Sequence, residues 1–124
     1  MATVKLTTEN FNDTVANNDI VIIDFWAEWC GPCKQFGPIF EKVSNEYPDI
    51  VFGKVNTEEQ RELAGYFQIQ SIPTTIILRE GIGIFQQPGL LPEEALKDVI
   101  EQVKALDMDK VRAEVEAEQA QNQQ

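Results

Sequence analysis

The sequence predicts an α/β domain in which a mixed β-sheet lies between layers of helices. Residues 20–27 form an apolar run that only Asp24 interrupts, which is typical of a central strand covered on both faces. Predicted strands and helices alternate as far as residue 78, and Glu80-Gly81 then marks a hairpin turn. Alternation favours parallel strand pairs and a hairpin adds an antiparallel pair, so the predicted sheet is mixed.

The remaining elements are predicted from capping residues and hydrophobic periodicity. Thr7 or Thr8 is the predicted N-cap of the first helix, and Pro92 opens a later one. In chain order we predict a strand at 4–6, a helix through 15, a strand at 20–27, a helix at 30–47, a strand at 50–55, a helix at 58–67, strands at 74–78 and 82–85, and a helix at 92–106. The sheet therefore has about five strands, flanked by about four helices on both faces.

The composition indicates one globular domain and excludes several functions. Of the 124 residues 43% are hydrophobic, which is enough to bury a core without disulfide staples. The net charge of −11 argues against nucleic-acid binding, because phosphate contacts are made mainly by Lys and Arg. Apolar runs are too short for a signal peptide or a membrane span. We therefore expect a cytoplasmic monomer that binds neither nucleic acid nor a membrane.

Cys30 and Cys33 are the only cysteines, and Gly31-Pro32 separates them. Proline suits the first turn of a helix, where its missing N–H has no intrahelical partner. A helix that begins near Cys30 directs free N–H groups and its positive dipole end at that sulfur, which favours the thiolate. Cys33, one turn further on, is placed to form a disulfide with Cys30. The pattern predicts a redox-active pair in a reducing compartment.

Three structural alternatives compete with the redox interpretation. A zinc site needs further ligands, but the chain has no histidine and no second cysteine pair, so only carboxylates would remain, and we expect no metal. A purely structural disulfide across so short a loop constrains the unfolded chain little. Two buried free thiols fit poorly beside Gly-Pro at an exposed turn. The redox pair is therefore favoured over all three.

Asp24 and Lys54 are the charged residues on predicted strands near the cysteines. Burial of an unpartnered carboxylate is unfavourable unless it takes up a proton, so we expect a raised pKa for Asp24 and a role as base for a thiol. The alternative is a carboxylate that reaches solvent near the strand end. Lys54 either approaches Asp24 or is solvated on an edge strand. Trp29, directly before Cys30, is expected to flank a groove.

The segment Trp26-Ala-Glu-Trp-Cys-Gly-Pro-Cys-Lys34 resembles the active-site signature of the thioredoxin family. The similarity covers about residues 4–106 and continues in order through Asp24, Pro38, Lys54, Ile72-Pro73-Thr74 and Gly89. It implies the thioredoxin fold for a domain at residues 1–106. One departure is the run Gln86-Gln87-Pro88, which weakens the fifth strand, because Pro88 is tolerated only at a sheet edge or a strand end.

The resemblance also implies roles for the site residues. Cys30 is the nucleophile, and Cys33 is the resolving cysteine that Asp24 deprotonates. Lys54 is implied as a modulator of Asp24. A cis Pro73 lies beside the cysteines, and a substrate strand pairs with the backbone of Ile72. The implied substrate groove consists of Trp29, Gly31, Pro32, Ile72, Pro73 and Gly89.

Residues 107–124 form an acidic, Gln-rich C-terminal extension beyond the predicted domain. Met108, Val111 and Val115 give it a thin apolar stripe. We predict a helix that packs partly on the domain and frays after about Ala117. A segment that docks a partner is the alternative, although few apolar side chains are available to anchor it.

Together these features predict a general protein disulfide reductase that has no bound cofactor beyond its Cys30–Cys33 disulfide. The resemblance implies disulfide-containing proteins as substrates, and electrons from NADPH through a thioredoxin reductase, with ferredoxin-linked systems as the alternative. Two other classes stay open. One is an interaction or chaperone-like module in which the cysteines are dispensable, and the other is an oxidase or isomerase of the same superfamily.

Overall fold

The computed structural model describes residues 2–122, which form a five-stranded sheet with helices on both faces. The strands are β1 (Thr3–Lys5), β2 (Ile20–Trp26), β3 (Val51–Asn56), β4 (Thr74–Arg79) and β5 (Ile82–Pro88). The helices are α1 (Phe11–Ala16), α2 (Gly31–Ser44), α3 (Arg61–Tyr66), α4 (Glu93–Lys104) and α5 (Met108–Asn122). Among these residues, no helix has both the length and the apolar character that crossing a membrane requires.

The sheet is mixed, as the sequence predicts, and β2 is its central strand. The strand order is β1-β3-β2-β4-β5. β3 pairs in parallel with both β1 and β2, whereas β4 is antiparallel to β2 and to β5. The carboxyl end of β2 therefore carries the chain from the middle of the sheet directly into α2.

Two apolar clusters on opposite faces of the sheet explain why β2 shows no polar alternation. Ile20 and Ile22 belong to the cluster under α2 and α4, together with Phe36 and Leu96. The odd-numbered residues of β2, such as Val21 and Ile23, belong to the cluster on the other face with residues of β3, β4 and α3. Both faces of a central strand are covered, so both sets of side chains are apolar.

Two helices begin later than the sequence predicts, because side chains stabilise turns before them. α1 begins at Phe11 with Asn10 as its N-cap, so the predicted caps Thr7 and Thr8 are wrong. Thr7 Oγ1 instead accepts from the N–H of Asn10, and Asn10 Oδ1 accepts from the N–H of Thr7. α3 begins at Arg61 rather than at residue 58.

The strand order tests two predictions, one about Pro88 and one about Lys54. β5 is an edge strand and Pro88 is its last residue, which agrees with the limits that proline sets. The strand nevertheless continues beyond the predicted end at residue 85, and a register irregularity lies opposite Ile77 and Leu78. Lys54 lies on β3, between β1 and β2. The alternative of a solvated lysine on an edge strand is therefore wrong.

Helix α5 contacts the domain at its first turns. Met108 is buried, and Val111 and Val115 are half-buried. Arg112 forms ion pairs with Glu80, in the β4–β5 turn, and with Asp109. The helix extends to Asn122. Gln123 and Gln124 lie outside the described residues, and the fraying after about Ala117 stays a prediction.

Candidate active site

Cys30 lies where the central strand β2 leads into helix α2. It is the N-cap of α2, and its Sγ accepts a hydrogen bond from the backbone N–H of Cys33 at 3.2 Å. Pro32 occupies the first turn of the helix, where no intrahelical bond is lost. A disulfide joins Cys30 and Cys33 across a Cα–Cα distance of 5.2 Å. The pair therefore lies at the positive end of the α2 dipole, which stabilises a thiolate at Cys30.

Ile72 and Pro73, which precede β4, and Gly89, which follows β5, lie beside the cysteine pair. The Ile72–Pro73 peptide bond is cis, and the carbonyl oxygen of Ile72 lies 3.7 Å from Cys30 Sγ. Gly89, whose φ is +96°, donates its N–H to the carbonyl oxygen of Pro73 at 2.7 Å. Three segments that are far apart in the sequence, at Cys30, Ile72-Pro73 and Gly89, are thus brought to one end of the sheet.

Trp29 is the most prominent side chain beside the disulfide. The residue is 69% exposed, and its Nε1 donates to Glu58 Oε1 at 3.1 Å. Gly31 and Pro32 are also exposed. An open hollow of about 390 Å³ lies against the indole, lined by Trp29, Thr57, Ala64, Ile69, Gln70, Ser71 and Ile72. The hollow extends from Trp29 to Ile72, so it reaches the residue that precedes the cis proline.

Sequence reasoning missed Glu58, which fixes the edge of the Trp29 indole. Asn56 Oδ1 accepts from the backbone N–H of Glu58 at 2.9 Å and so shapes the turn that carries this carboxylate. Glu58 lies 29 residues after Trp29 in the chain. No local pattern in the sequence connects the two residues, because their contact depends on the pairing of β2 with β3.

Asp24 is buried in the sheet, on the strand that leads to Cys30. Its side chain is fully shielded from solvent, and neither carboxyl oxygen has a hydrogen-bond partner among the described residues. Burial penalises the charged form and raises the pKa of Asp24 from 3.8 to about 7, although the positive charge of Lys54 opposes this rise. The carboxyl group can therefore exchange a proton at neutral pH.

Lys54 is half-buried and pairs with Asp24 across β3 and β2. Its Nζ lies 5.0 Å from the centroid of the Trp26 ring, a favourable cation–π distance. The ammonium is thus held near Asp24 without forming a direct ion pair with it. This position accounts for a pKa of Asp24 that stays near neutrality rather than rising further.

The donor groups of the site suit thiol chemistry. Within residues 2–122, no group of three or more His, Cys, Asp or Glu side chains is arranged to hold a metal ion. The site instead combines a disulfide at a helix N-terminus, a titratable buried carboxyl on the adjoining strand and an exposed aromatic groove. These are the parts that exchange of a disulfide with another protein needs.

Comparisons with known proteins agree with this chemistry. The thioredoxin family model matches residues 2–102. A Streptomyces coelicolor protein bearing the name thioredoxin 2 is 62% identical over 120 residues, which cover 97% of this chain and 90% of that protein. Thioredoxin of Bacillus subtilis is 37% identical over 101 residues, covering 81% of this chain and 96% of the relative.

A solved structure supports the same assignment at the level of the fold. A mutant thioredoxin from Halobacterium salinarum matches with a TM-score of 0.77 and 31% identity, covering 84% of this chain and 91% of that one. Members of this family are disulfide oxidoreductases, and the Cys30–Cys33 pair is the group that performs the reaction. The chain belongs to the thioredoxin family and functions as a protein disulfide reductase.

Proposed function

We propose that the protein is a general reductase of protein disulfides, with Cys30 as the nucleophile and Cys33 as the resolving cysteine. One observation carries this assignment. Cys30 Sγ lies at the N-terminus of α2 and accepts the N–H of Cys33. The helix therefore favours negative charge on Cys30 more than on Cys33, which is one turn inside the helix.

The reaction proceeds in two exchanges. The Cys30 thiolate attacks one sulfur of a substrate disulfide, and the other substrate sulfur leaves as a thiolate. The Cys33 thiolate then attacks the Cys30 sulfur of the mixed disulfide, which releases the second substrate thiolate and leaves Cys30–Cys33 oxidised. Two electrons pass from the protein to the substrate, whose two thiolates take up protons from water.

Asp24 is the proposed acceptor of the Cys33 proton. A resolving thiol must be deprotonated before it attacks, and a base with a pKa near the working pH serves this best. The raised pKa of Asp24, about 7, supports the assignment. Its side chain also lies on the sheet face that α2 covers, since Ile22, two residues earlier on β2, packs under α2.

The proposed substrate groove runs between Trp29 and the loop at Ile72–Pro73. An extended substrate segment would pair with the backbone of Ile72, beside Cys30. Gly31, Pro32 and Gly89 are exposed there and leave room for the approach of a second chain. The apolar hollow beside Trp29 supports contact with an uncharged part of the substrate.

Restoring the dithiol requires an outside electron donor. We infer that NADPH supplies the electrons through a thioredoxin reductase in the cytoplasm, and that the protein works as a monomeric electron carrier. The names of the relatives support this system, because thioredoxins generally work with such a reductase. No bound cofactor is then needed beyond the disulfide itself.

Two cysteine variants test the assigned roles. Cys33→Ser keeps the nucleophile and should accumulate a mixed disulfide with a protein substrate, seen as the summed mass in non-reducing mass spectrometry. Cys30→Ser should form no such adduct and should show no turnover. The matched pair differs only in which sulfur is removed.

Two outcomes contradict the assignment. If both variants trap substrate equally, either sulfur can attack and Cys30 is not the dedicated nucleophile. If both variants bind a physiological partner as the unaltered protein does and retain its biological role, the cysteines are dispensable and the chain is an interaction module of this fold.

A further inference from the structure

Four buried polar side-chain atoms on two neighbouring strands lack a hydrogen-bond partner among the described residues. One is Arg79 Nε, which lies 3.4 Å from Asp19 Oδ2 in an ion pair, and the other three belong to Asp24 and Thr75. Two are the carboxyl oxygens of Asp24, and the third is the hydroxyl oxygen of Thr75. Asp24 on β2 is paired directly with Thr75 on β4, and neither residue is exposed to solvent. Paired residues on adjacent strands present their side chains to the same face of the sheet, so the hydroxyl and the carboxyl share one buried layer.

Thr75 differs in this respect from the other buried hydroxyl groups. Thr74 donates its hydroxyl to the carbonyl of Ser71 at 2.6 Å, and Ser44 donates to the carbonyl of Glu41 at 2.5 Å. A buried hydroxyl without a partner destabilises the fold, and native proteins keep few of them. An apolar side chain would suit this layer better, so the hydroxyl of Thr75 requires a reason.

The neighbouring carboxyl group of Asp24 is an acceptor to which this hydroxyl can donate. Directly opposed residues of antiparallel strands have Cβ atoms about 4.5–5.5 Å apart. Rotation about the Cα–Cβ bond of Thr75 therefore brings its hydroxyl within reach of an Asp24 oxygen, directly or through one water. A hydroxyl donates more strongly to an ionised carboxylate than to a neutral acid. The interaction thus favours the deprotonated form of Asp24.

We propose that Thr75 is a positioning residue of the reductase reaction, whose hydroxyl stabilises the Asp24 carboxylate that accepts the proton of Cys33. The proposal rests on the function proposed above and assigns Thr75 a role through Asp24, without contact with the substrate. In the step concerned, the S–H bond of Cys33 breaks, its electron pair stays on sulfur, and the proton bonds to an oxygen of Asp24. The hydroxyl of Thr75 keeps its own proton throughout.

Residues on both neighbouring strands then stabilise the ionised form of Asp24. Lys54 faces it from β3 and acts through its positive charge, and Thr75 faces it from β4. α2 contributes the Cys33 thiol of the reduced protein, while the side chains that α2 and α4 pack into this layer, such as Phe36 and Leu96, are apolar. Lys54 is therefore the fixed charge that acts on Asp24, and the hydroxyl is the neutral donor.

The pKa of Asp24 in the oxidised protein tests the proposal directly. In that state Cys30 and Cys33 carry no titrating thiol, so the ¹³C resonance of the Asp24 carboxyl carbon reports on this group alone. Thr75→Val removes the hydroxyl and keeps the shape, and it should raise the pKa of Asp24 by about 0.5 to 1. Thr75→Ser keeps the hydroxyl and should leave the pKa near that of the unaltered protein.

The rate of the resolving step gives a second readout. In single-turnover release of a substrate thiol from the mixed disulfide, Thr75→Val should be about two- to fivefold slower at pH 7, because less Asp24 is ionised, and should recover near pH 9. Thr75→Ser should restore the rate at pH 7. In an Asp24→Asn background the Thr75→Val change should have no effect on release, since the hydroxyl acts through the carboxylate.

The outcomes separate this proposal from the function on which it rests. An unchanged pKa of Asp24 in Thr75→Val, with an active unaltered protein, overturns the role of Thr75 and leaves the reductase assignment standing. A slower rate that is the same at every pH, or that persists in the Asp24→Asn background, also overturns it. If the unaltered protein itself reduces no disulfide, the proposed function fails instead, and the pKa measurement still decides whether the hydroxyl contacts the carboxylate.

Discussion

At Asp24, burial and a neighbouring charge act in opposite directions on one proton. Desolvation raises the pKa to about 7, and Lys54 limits that rise. The folded protein therefore binds this proton more tightly than the unfolded chain does. The stability that results is fully present below the unfolded pKa, near 4, and is lost as the pH rises through about 7.

Asp24→Asn should consequently stabilise the oxidised protein at pH 8 but not at pH 4. Ionising the buried carboxyl destabilises the fold by on the order of 4 kcal/mol, and the amide is never ionised. Because the amide is also buried, we expect a gain of about 2–4 kcal/mol at pH 8 that shrinks to near zero at pH 4. Urea unfolding at the two pH values measures this difference.

The same variant should slow the resolving step more than the first attack, because only Cys33 uses this base in the proposed reaction. Unchanged kinetics together with lowered stability at pH 8 would mean that Asp24 is structurally paired rather than a buried base. A gain that is equal at pH 4 and pH 8 would mean that the carboxyl does not titrate between them.

The sequence identifies a functional residue when its side chain is unusual for the local sequence. Asp24 stands out because it interrupts an apolar strand, and the cysteines stand out by their spacing. Glu58 and Thr75 are ordinary for their local sequence, and their partners come from pairing between distant strands. Such contacts need the register of the sheet, which no short pattern gives.

At the level of single elements, few residues of α5 pack against the domain. Met108 is its one buried residue, and Val111 and Val115 are half-buried. From Glu116 to Asn122 every residue is exposed. The first two turns therefore contact the domain, whereas the remaining turns project into solvent.

Deletion of Val111 to Gln124 should leave disulfide reduction nearly unchanged. Two half-buried valines contribute about 2 kcal/mol to the free energy of unfolding, and the exposed ion pair of Arg112 adds little. A shorter deletion, from Glu116 onward, is the matched control and should not change stability. Urea unfolding and an insulin-reduction assay on both truncations test this.

A loss of stability well above that value would show that α5 is an integral part of the domain. Unchanged stability with selective loss of one substrate or one reductase would identify α5 as a docking segment instead.

The boundaries of elements are harder to predict than their type. Each predicted strand and helix is present, because hydrophobic periodicity reports which face is buried. The starts of α1 and α3 are displaced, because the side-chain oxygens of Asn10 and Asn56 accept backbone N–H groups and stabilise turns before these helices. Hydrophobic periodicity does not reveal such turns. The helix α2 continues past Pro38, as its apolar spacing predicts.

At the scale of the whole molecule, the mixed sheet concentrates the chemistry at one end. The carboxyl end of β2 leads to Cys30, and the start of β4 and the end of β5 bring Pro73 and Gly89 beside it. The opposite faces of the sheet are filled with apolar side chains. The packed sheet therefore presents the disulfide and the residues beside it at one end.

The strand order is predicted by the resemblance to a known family, because the pattern of strands and helices does not determine it. Alternating strands and helices with one hairpin predict a mixed sheet, but several strand orders satisfy that description. The order β1-β3-β2-β4-β5 places the two halves of the site together. Only the similarity of Trp26 to Lys34 and of Ile72-Pro73-Thr74 to a known family specified it in advance.

Turnover coupled to NADPH oxidation shows whether this protein carries electrons to protein disulfides. The oxidised protein is mixed with NADPH, a thioredoxin reductase and insulin as the disulfide substrate, and the absorbance at the NADPH band is followed. We expect NADPH consumption that continues until insulin is reduced, that scales with the concentration of this protein, and that is absent with Cys30→Ser. If no NADPH is consumed with several thioredoxin reductases, although dithiothreitol reduces the Cys30–Cys33 disulfide, the protein does not carry electrons from NADPH to protein disulfides.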